Sequence, residues 1–315
     1  MSEALDAAMV AGFVAASVRI ATPLMLAALG ETITERAGVI NLGLEGAMLA
    51  GCLAGAYGSA TAGPWTGLAL AVAVGGVVSL VLGTVVLAGA NQIIAGTAVT
   101  LACVGLTGAA HRGWVAGGAA PAVVPTLAPL PVPLLADIPL LGPAVFAQPI
   151  PTYIGLLLAP LLWWVLFRTR PGLALRATGE SAAMARAAGV PVRLVRTLAA
   201  VFGGSLAGLA GASLVLAQVG SFAERMTAGR GYVAIAVVVL GRWHPLGAAL
   251  AALAFGGATA LQFAFQALGL AVPYQLFLVL PYFLTLLALA GAVGRSRAPA
   301  DLGRDLGSAE FRSRP

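Results

Sequence analysis

The chain has 315 residues, of which 60% are hydrophobic and 9% charged, and its formal net charge is +6. A soluble domain carries roughly a quarter charged residues, so this composition excludes an ordinary water-soluble globule. The positive charges are all arginines that flank apolar runs, which argues against a nucleic-acid-binding protein.

The apolar runs are about 18 to 25 residues long, which is enough to cross a bilayer as helices. They lack the alternation of barrel strands. The sequence therefore predicts an all-α, polytopic transmembrane helical bundle with about nine spans, within a range of eight to ten. The candidate spans are 9–29, 38–60, 66–89, 92–111, 150–167, 198–217, 232–240, 246–268 and 271–291.

The first and the seventh of these spans differ from the others. The first has no basic n-region or small-residue cleavage site before it, so we expect a retained helix rather than a cleaved signal. The seventh is too short to cross alone. It is either a half-helix, a re-entrant segment, or part of a span that begins near Arg230.

The distribution of arginine predicts the orientation. Of the 17 basic residues, six lie in segment 168–197 and five in segment 292–315. Both segments are therefore expected to be cytoplasmic. The N-terminus is then outside. Segment 112–148 is external, and its seven prolines between Pro121 and Pro143 make it either a cap over the outer mouth or a plain linker. Residues 1–291 are expected to form one transmembrane domain, and 292–315 are expected to be a disordered tail.

The stretch "GETITERAGVINLGLEGAML" (30–49) places three glutamates in an apolar chain. On a continuous helix Glu31, Glu35 and Glu45 would lie within about 40° of one another. Carboxylates at membrane depth face the bundle interior or a water-filled path. Glu31 and Glu35 are either in such a path or solvated at the cytoplasmic end, whereas Glu45 lies deeper. Three glycines indicate a broken or closely packed helix here: Gly38, Gly43 and Gly46.

Other polar side chains in apolar runs either bond helix to helix or face a cavity. They are Asn91 and Gln92 in one run, and Gln262 and Gln266 in another. The two cysteines, Cys52 and Cys103, are expected to be buried packing residues. Two histidines, His111 and His244, have no accompanying ligand motif, so we predict neither a metal site nor a cofactor.

Segment 168–197 predicts one or two short amphipathic helices between Ala174 and Gly189, flanked by Pro171 and Pro191. Their alanine-rich face is suited to close docking against another protein. The alternative from composition alone is an ordinary basic cytoplasmic loop.

Four motifs resemble the inner-membrane permeases of bacterial ABC importers, in the ribose-type branch that serves nucleosides and simple sugars. They are "TERAGVINLGLEG", "NQIIAGTAV", "LRATGESAAMARAAGV" and "GRGYVAIAVVVLGRWHPLGA", in the expected order between about residues 20 and 290. The resemblance implies a multi-pass protein of the bacterial inner membrane that is not itself an enzyme.

The resemblance also implies partners and site residues. The partners are a cytoplasmic ABC ATPase, a second permease subunit in a homo- or heterodimer, and an extracytoplasmic substrate-binding protein. The coupling loop would contact the ATPase through Glu180, Ala183, Arg186, Ala187 and Gly189. The translocation path would include Asn41, Glu45, Asn91, Gln92 and Gln262.

The sequence has no GxxxxGK[ST] motif and no lysine, so ATP hydrolysis must belong to a partner. We therefore predict the permease subunit of an ATP-driven importer, working by alternating access. The alternative is a proton-coupled secondary transporter that uses Glu31, Glu35 or Glu45 as a relay. An intramembrane enzyme is disfavoured because no HExxH or GxSxG motif occurs.

Overall fold

The computed structural model describes residues 2–118, 123–267 (apart from 134, 137, 139–141, 143 and 144), 279, 283 and 298–304, with side chains from Val10 onward. The helices are α1 (Ser2–Arg36), α2 (Leu44–Ala62), α3 (Pro64–Leu87), α4 (Gln92–Ala116), α5 (Ile150–Arg168), α6 (Arg170–Glu180), α7 (Ala182–Ala187), α8 (Val192–Leu214), α9 (Arg230–Leu240) and α10 (Pro245–Ala267). A π-helical turn, Val215–Val219, extends α8. Strands β1 (Leu130–Pro131) and β2 (Ala147–Gln148) pair antiparallel.

The predicted all-α membrane bundle is confirmed, but the count of about nine spans is not. In the described part of the chain, six helices are long and apolar enough to cross a membrane: α1, α3, α4, α5, α8 and α10. The ninth predicted span, 271–291, lies outside the described residues apart from two isolated positions. Helix α2 has 19 residues and is not among these six; it carries Glu45 in its first turn and is mostly buried among its neighbours.

Helix α9 explains the short seventh span. It has 11 residues, which at 1.5 Å per residue cover about 16 Å, roughly half of the hydrocarbon core. Non-helical residues 220–229 precede it, and a tight turn at 241–244 connects it to α10. The segment is therefore a half-helix packed inside the bundle, which is where irregular backbone is tolerated at membrane depth.

Close contact between α2, α3 and α8 depends on glycine. A Cβ on Gly51 would lie 2.5 Å from the Gly208 carbonyl oxygen, and a Cβ on Gly211 would overlap the Met48 carbonyl. On the α3 side, a Cβ on Gly75 would overlap the Gly204 carbonyl. Small residues let helix backbones approach to this degree in lipid, where packing replaces the hydrophobic effect as the driving force. Cys52 in α2 and Cys103 in α4 are both buried, as predicted.

The bundle has two distinct ends. At the proline-rich end, residues 124–127 cover the ends of α2 and α8: Ser59 Oγ donates to the Pro125 carbonyl at 2.5 Å, and Val124 N donates to the Gly220 carbonyl at 2.8 Å. At the arginine-rich end lie the last turn of α1, the two helices α6 and α7, and residues 298–304. The described part of the tail, 298–304, thus lies at the same end as helices α6 and α7 of the first arginine-rich segment.

Part of the tail that was expected to be disordered has a defined structure. Residues 298–304 form turns against the arginine-rich end, with Pro299 buried and Leu302 packed on the main apolar core. The remaining residues after 304 lie outside the described part. Apolar contacts and a backbone hydrogen bond to the bundle hold these residues in place. Composition alone does not indicate such contacts.

Candidate functional site

The break between α1 and α2 is the centre of the polar interior. Helix α1 ends at Arg36 and α2 begins at Leu44, and Gly38 turns the chain with a φ of +89°. Asn41 N then donates to Glu31 Oε1 at 2.9 Å. Because Glu31 lies five residues before the end of α1, the connection runs back alongside the last turn of that helix. The glutamates therefore do not share one continuous helix, and the broken-helix interpretation is correct.

Glu31 and Glu35 are not solvated at a helix end. Their relative exposures are 0% and 2%, so both carboxyl groups are buried. Glu35 Oε2 accepts a hydrogen bond from Trp243 Nε1, and Arg36 Nε donates to the Trp243 carbonyl at 2.7 Å. A buried carboxyl group needs such a partner. Glu35 and Arg36 together thus tie the end of α1 to the 241–244 turn.

Asn41 is a buried polar residue with unused capacity. Its Nδ2 donates to Ser79 Oγ on α3 at 3.2 Å. Its Oδ1 is buried and accepts no hydrogen bond from any described residue. An unpaired buried acceptor costs roughly 1–3 kcal/mol, and no described residue supplies a donor to this one.

Glu45 caps the start of the half-helix. It lies in the first turn of α2, and its Oε1 accepts from Thr227 Oγ1 at 2.6 Å and Gly229 N at 2.8 Å. Its Oε2 accepts from Gly231 N at 2.6 Å. The first amide groups of a helix have no partner within the helix, and a carboxylate there also meets the positive end of the helix dipole. Glu45 therefore fixes the position of α9 relative to α2.

Asn91 and Gln92, both predicted to line the path, lie at the arginine-rich end of α4. Asn91 is exposed and caps that helix, since its Oδ1 accepts from Ile93 N at 3.0 Å and Ile94 N at 3.2 Å. Gln92 is buried, and its Oε1 accepts from Ile40 N at 2.9 Å. Gln92 thus holds the break, whereas Asn91 stabilises the helix end.

The last predicted path residue, Gln262, is buried at 8% exposure near the far end of α10, one turn before the exposed Gln266. It lies on a different part of the bundle from the break. A cavity of about 360 Å³ opens between α2, α3 and α4, and it is lined mainly by apolar groups, with Tyr57, Thr107 and Trp114 among them. None of the predicted path residues lines this cavity.

The arginine-rich loop forms two helices, as the sequence predicts. A one-residue joint at Ser181 separates α6 from α7. The predicted ATPase-contact residues are all exposed: Glu180, Ala183, Arg186, Ala187 and Gly189. The buried face of α7, in contrast, carries Ala182 and Ala185. These small side chains bring α7 close to the bundle, so its outer face is presented at the arginine-rich end.

Arg196 joins this loop to the break. It is 2% exposed, its Nε donates to the Ala37 carbonyl at 3.0 Å, and its Nη2 donates to the Thr178 carbonyl at 3.4 Å. The backbones of α6 and of the end of α1 are also in close contact, because a Cβ on Gly179 would overlap the Arg36 carbonyl. A displacement of the α6–α7 joint must therefore move residues 36–38.

A second contact links α6 to the 241–244 turn through an aromatic ring. The ring of Phe167, near the end of α5, stacks on His244 at 5.2 Å between centroids, and the Arg176 guanidinium lies 5.0 Å from the same ring. Burial, and secondarily the positive charge of Arg36, lower the pKa of His244, which favours the neutral ring. The Phe167 ring therefore connects α6 to the 241–244 turn.

Sequence reasoning missed two residues of this site. Arg196 was counted only among the positive charges of the loop, and Thr227 was not singled out. The available signal was weak: Arg196 follows Pro191 at the start of an apolar span, where an arginine is usually exposed at the membrane surface. Its burial depends on carbonyl groups of distant segments.

Comparison with known proteins identifies the family of this chain. The family model described as branched-chain amino acid transport system / permease component matches residues 13–289. TsgC13 of Haloferax volcanii, provisionally named as a glucose ABC transporter permease, is 40% identical over 83% of this chain and 80% of its own. The guanosine ABC transporter permease NupQ of Bacillus subtilis is 35% identical over 91% and 93%. The nucleoside ABC transporter permease NupC of Lactococcus lactis is 32% identical over 88% and 91%. No solved structure matches the chain significantly.

Proposed function

The chain belongs to the family of branched-chain amino acid transport system permease components, and we propose that, as the membrane permease of an ABC importer, it carries nucleosides or related sugar-like solutes. It is a multi-pass membrane protein and not an enzyme, since ATP hydrolysis in this family is the work of a separate subunit. We infer the solute class from the similarity to NupQ and NupC, which covers about nine-tenths of each chain.

The partners follow from the family in outline: an ATPase and a substrate-binding protein. In finer detail, the ATPase docks on the exposed face of α6 and α7, and a second permease subunit, identical or related, completes the path. The arginine-rich end faces the cytoplasm of a bacterial inner membrane, and the N-terminus lies outside. The concentration of arginine at that end supports this orientation.

The mechanism is alternating access, transmitted through the break. ATPase closure moves the α6–α7 joint, and Arg196 passes this movement to residues 36–38 because it is bonded to both. Asn41 follows, and its unpaired Oδ1 offers an acceptor for a hydroxyl or amino group of the solute. Glu45 and Gln92 hold the walls of this path through α9 and Ile40, with Asn91 and Gln262 at its two ends.

The test of the solute class is uptake by the complete importer in proteoliposomes. We expect ATP-dependent uptake of labelled guanosine, with competition by unlabelled nucleosides stronger than by glucose. Preferential glucose uptake would make the chain a sugar permease. Uptake that needs no ATP and collapses with a protonophore would instead support the proton-coupled alternative, with Glu31, Glu35 or Glu45 as relay.

Docking of the ATPase on this loop is tested by charge reversal at Glu180. This side chain is exposed at the end of α6, so Glu180→Arg should leave the permease folded and inserted. We expect uptake to fall about tenfold or more, since misplaced charge at an interface costs several kcal/mol. Co-purification with the ATPase, measured by quantitative blotting, should fall in parallel.

The matched control is Arg170→Glu, an equally large charge change at the other, also exposed, end of α6. That variant should keep most of its uptake. Equal effects of the two variants, or normal uptake by Glu180→Arg, would remove Glu180 from the docking surface.

A further inference from the structure

Residues 298–304 lie against two parts of the site at once. Pro299 is buried, and Leu302 packs against the main apolar core. Backbone turns within the segment, such as Leu302 N to the Pro299 carbonyl at 3.1 Å, hold it compact. This short stretch is more than a hundred residues from α6 and α7 in sequence, so its contacts there are purely tertiary.

One side of the segment is bonded to the α6–α7 joint. Asp301 N donates to the Gly179 carbonyl at 2.9 Å, and Ala182 N donates to Asp301 Oδ2 at 2.7 Å. The two bonds bracket Glu180 and Ser181, the residues at which α6 ends and α7 begins. Asp301 therefore fixes the angle between the two helices, and a hydrogen bond to a charged acceptor is among the stronger ones.

The other side of the segment is bonded to the break. Gln92 Nε2 donates to the Arg304 carbonyl at 3.2 Å, while the Oε1 of the same amide accepts from Ile40 N at 2.9 Å. Gly303 has a φ of +74°, and a Cβ built there would lie 2.9 Å from Ile40 Cδ1. A single glutamine thus joins the segment to the connection between α1 and α2.

We propose that residues 298–304 form a latch that holds the α6–α7 joint and the α1–α2 break in a fixed relation, with Asp301 as the positioning residue for coupling. The proposal rests on the proposed function, because it assigns the latch to the transmission of ATPase movement. Arg196 supplies one connection between joint and break, and the latch supplies a second. Two connections convert a displacement of α7 into a defined movement of residues 36–41 instead of a local bend.

The experiment compares Asp301→Ala and Asp301→Asn with the matched control Arg304→Ala in the full-length permease within the complete importer. Arg304→Ala removes the exposed ion pair at 3.1 Å to Asp301 Oδ1 but leaves the Asp301 contacts to Gly179 and Ala182 intact. Two quantities are measured: amide hydrogen exchange of residues 181–190, and ATP hydrolysed per solute transported in proteoliposomes.

With Asp301→Ala, exchange in 181–190 should rise roughly tenfold or more, because the amide of Ala182 loses a charged acceptor. ATP hydrolysed per solute should rise at least about threefold, whereas assembly with the ATPase is retained. Asp301→Asn keeps an acceptor oxygen and should rescue much of both quantities, and Arg304→Ala should match the wild type. A purely structural role would lower the amount of assembled importer without changing the ratio.

If wild-type importer transports normally and Asp301→Ala matches it in exchange and in coupling ratio, the latch is wrong and the proposed function stands. The same holds if Asp301→Ala changes the amount of assembled importer but leaves the ratio unchanged. If wild-type importer shows no ATP-dependent uptake of any solute, the proposed function fails, and the latch fails with it.

Discussion

Glu45→Gln should abolish uptake, with the protein still inserted in the membrane but less stable. The carboxylate accepts three hydrogen bonds, two of them from backbone amides at the start of α9. Glutamine offers one acceptor oxygen, and its NH₂ group would point at an N–H donor. The loss of one or two charge-assisted hydrogen bonds, each worth about 1.5–3 kcal/mol, should release the start of the half-helix.

The measurements are uptake in proteoliposomes and the thermal unfolding midpoint in detergent. We expect uptake at background level and a midpoint lowered by several degrees. The matched control is Glu224→Gln, the same chemical change at a glutamate that is 46% exposed and paired with Arg112. Because exposed ion pairs contribute about 0–1 kcal/mol, this variant should resemble the wild type.

Wild-type uptake and midpoint in Glu45→Gln would show that the cap is dispensable. A wild-type midpoint combined with lost uptake would separate the two roles considered for this residue. That result would favour direct contact with the solute or with water in the path over support of α9.

Arg196→Ala should uncouple ATP hydrolysis from transport and destabilise the arginine-rich end. Arg196 is the largest fully buried side chain in the described part of the chain, and it donates to the carbonyls of Ala37 and Thr178. Its removal leaves a cavity and two buried acceptors without their donor. Unpaired acceptors cost about 1–3 kcal/mol each, so a total near 3–5 kcal/mol is expected.

The experiment follows ATPase activity and uptake of the same importer preparation. Arg196→Ala should retain ATP hydrolysis but lose at least about nine-tenths of uptake, since the joint no longer moves residues 36–38. Arg196→Lys should be intermediate, because one ammonium group cannot serve both carbonyls with the geometry of a guanidinium. Arg193→Ala, at an exposed position one turn earlier on α8, is the control. Full uptake by Arg196→Ala would exclude the proposed transmission route.

The sequence predicted two parts of this site, the break and the two short helices. The glycines around residue 41 indicated the break, and the alanine-rich motif indicated two short helices with an exposed face. It did not predict that Glu31 and Glu35 are buried, because their hydrogen-bond partners come from residues 41 and 243. Nor did it identify the role of Arg196, whose partners lie on two other segments. Hydrogen-bond partners on distant segments produce no recognisable pattern in the sequence around a residue.

Composition and hydrophobic run length alone determined that this chain is a helical membrane bundle, since a bilayer imposes the same length and polarity on every span. The motifs determined the family. Only the tertiary structure decided that the seventh run is a half-helix capped by Glu45, and that residues 298–304 bind the α6–α7 joint. The physical reason is that span formation is local, whereas burial of a charge is stabilised by donors and acceptors that folding brings from distant parts of the chain.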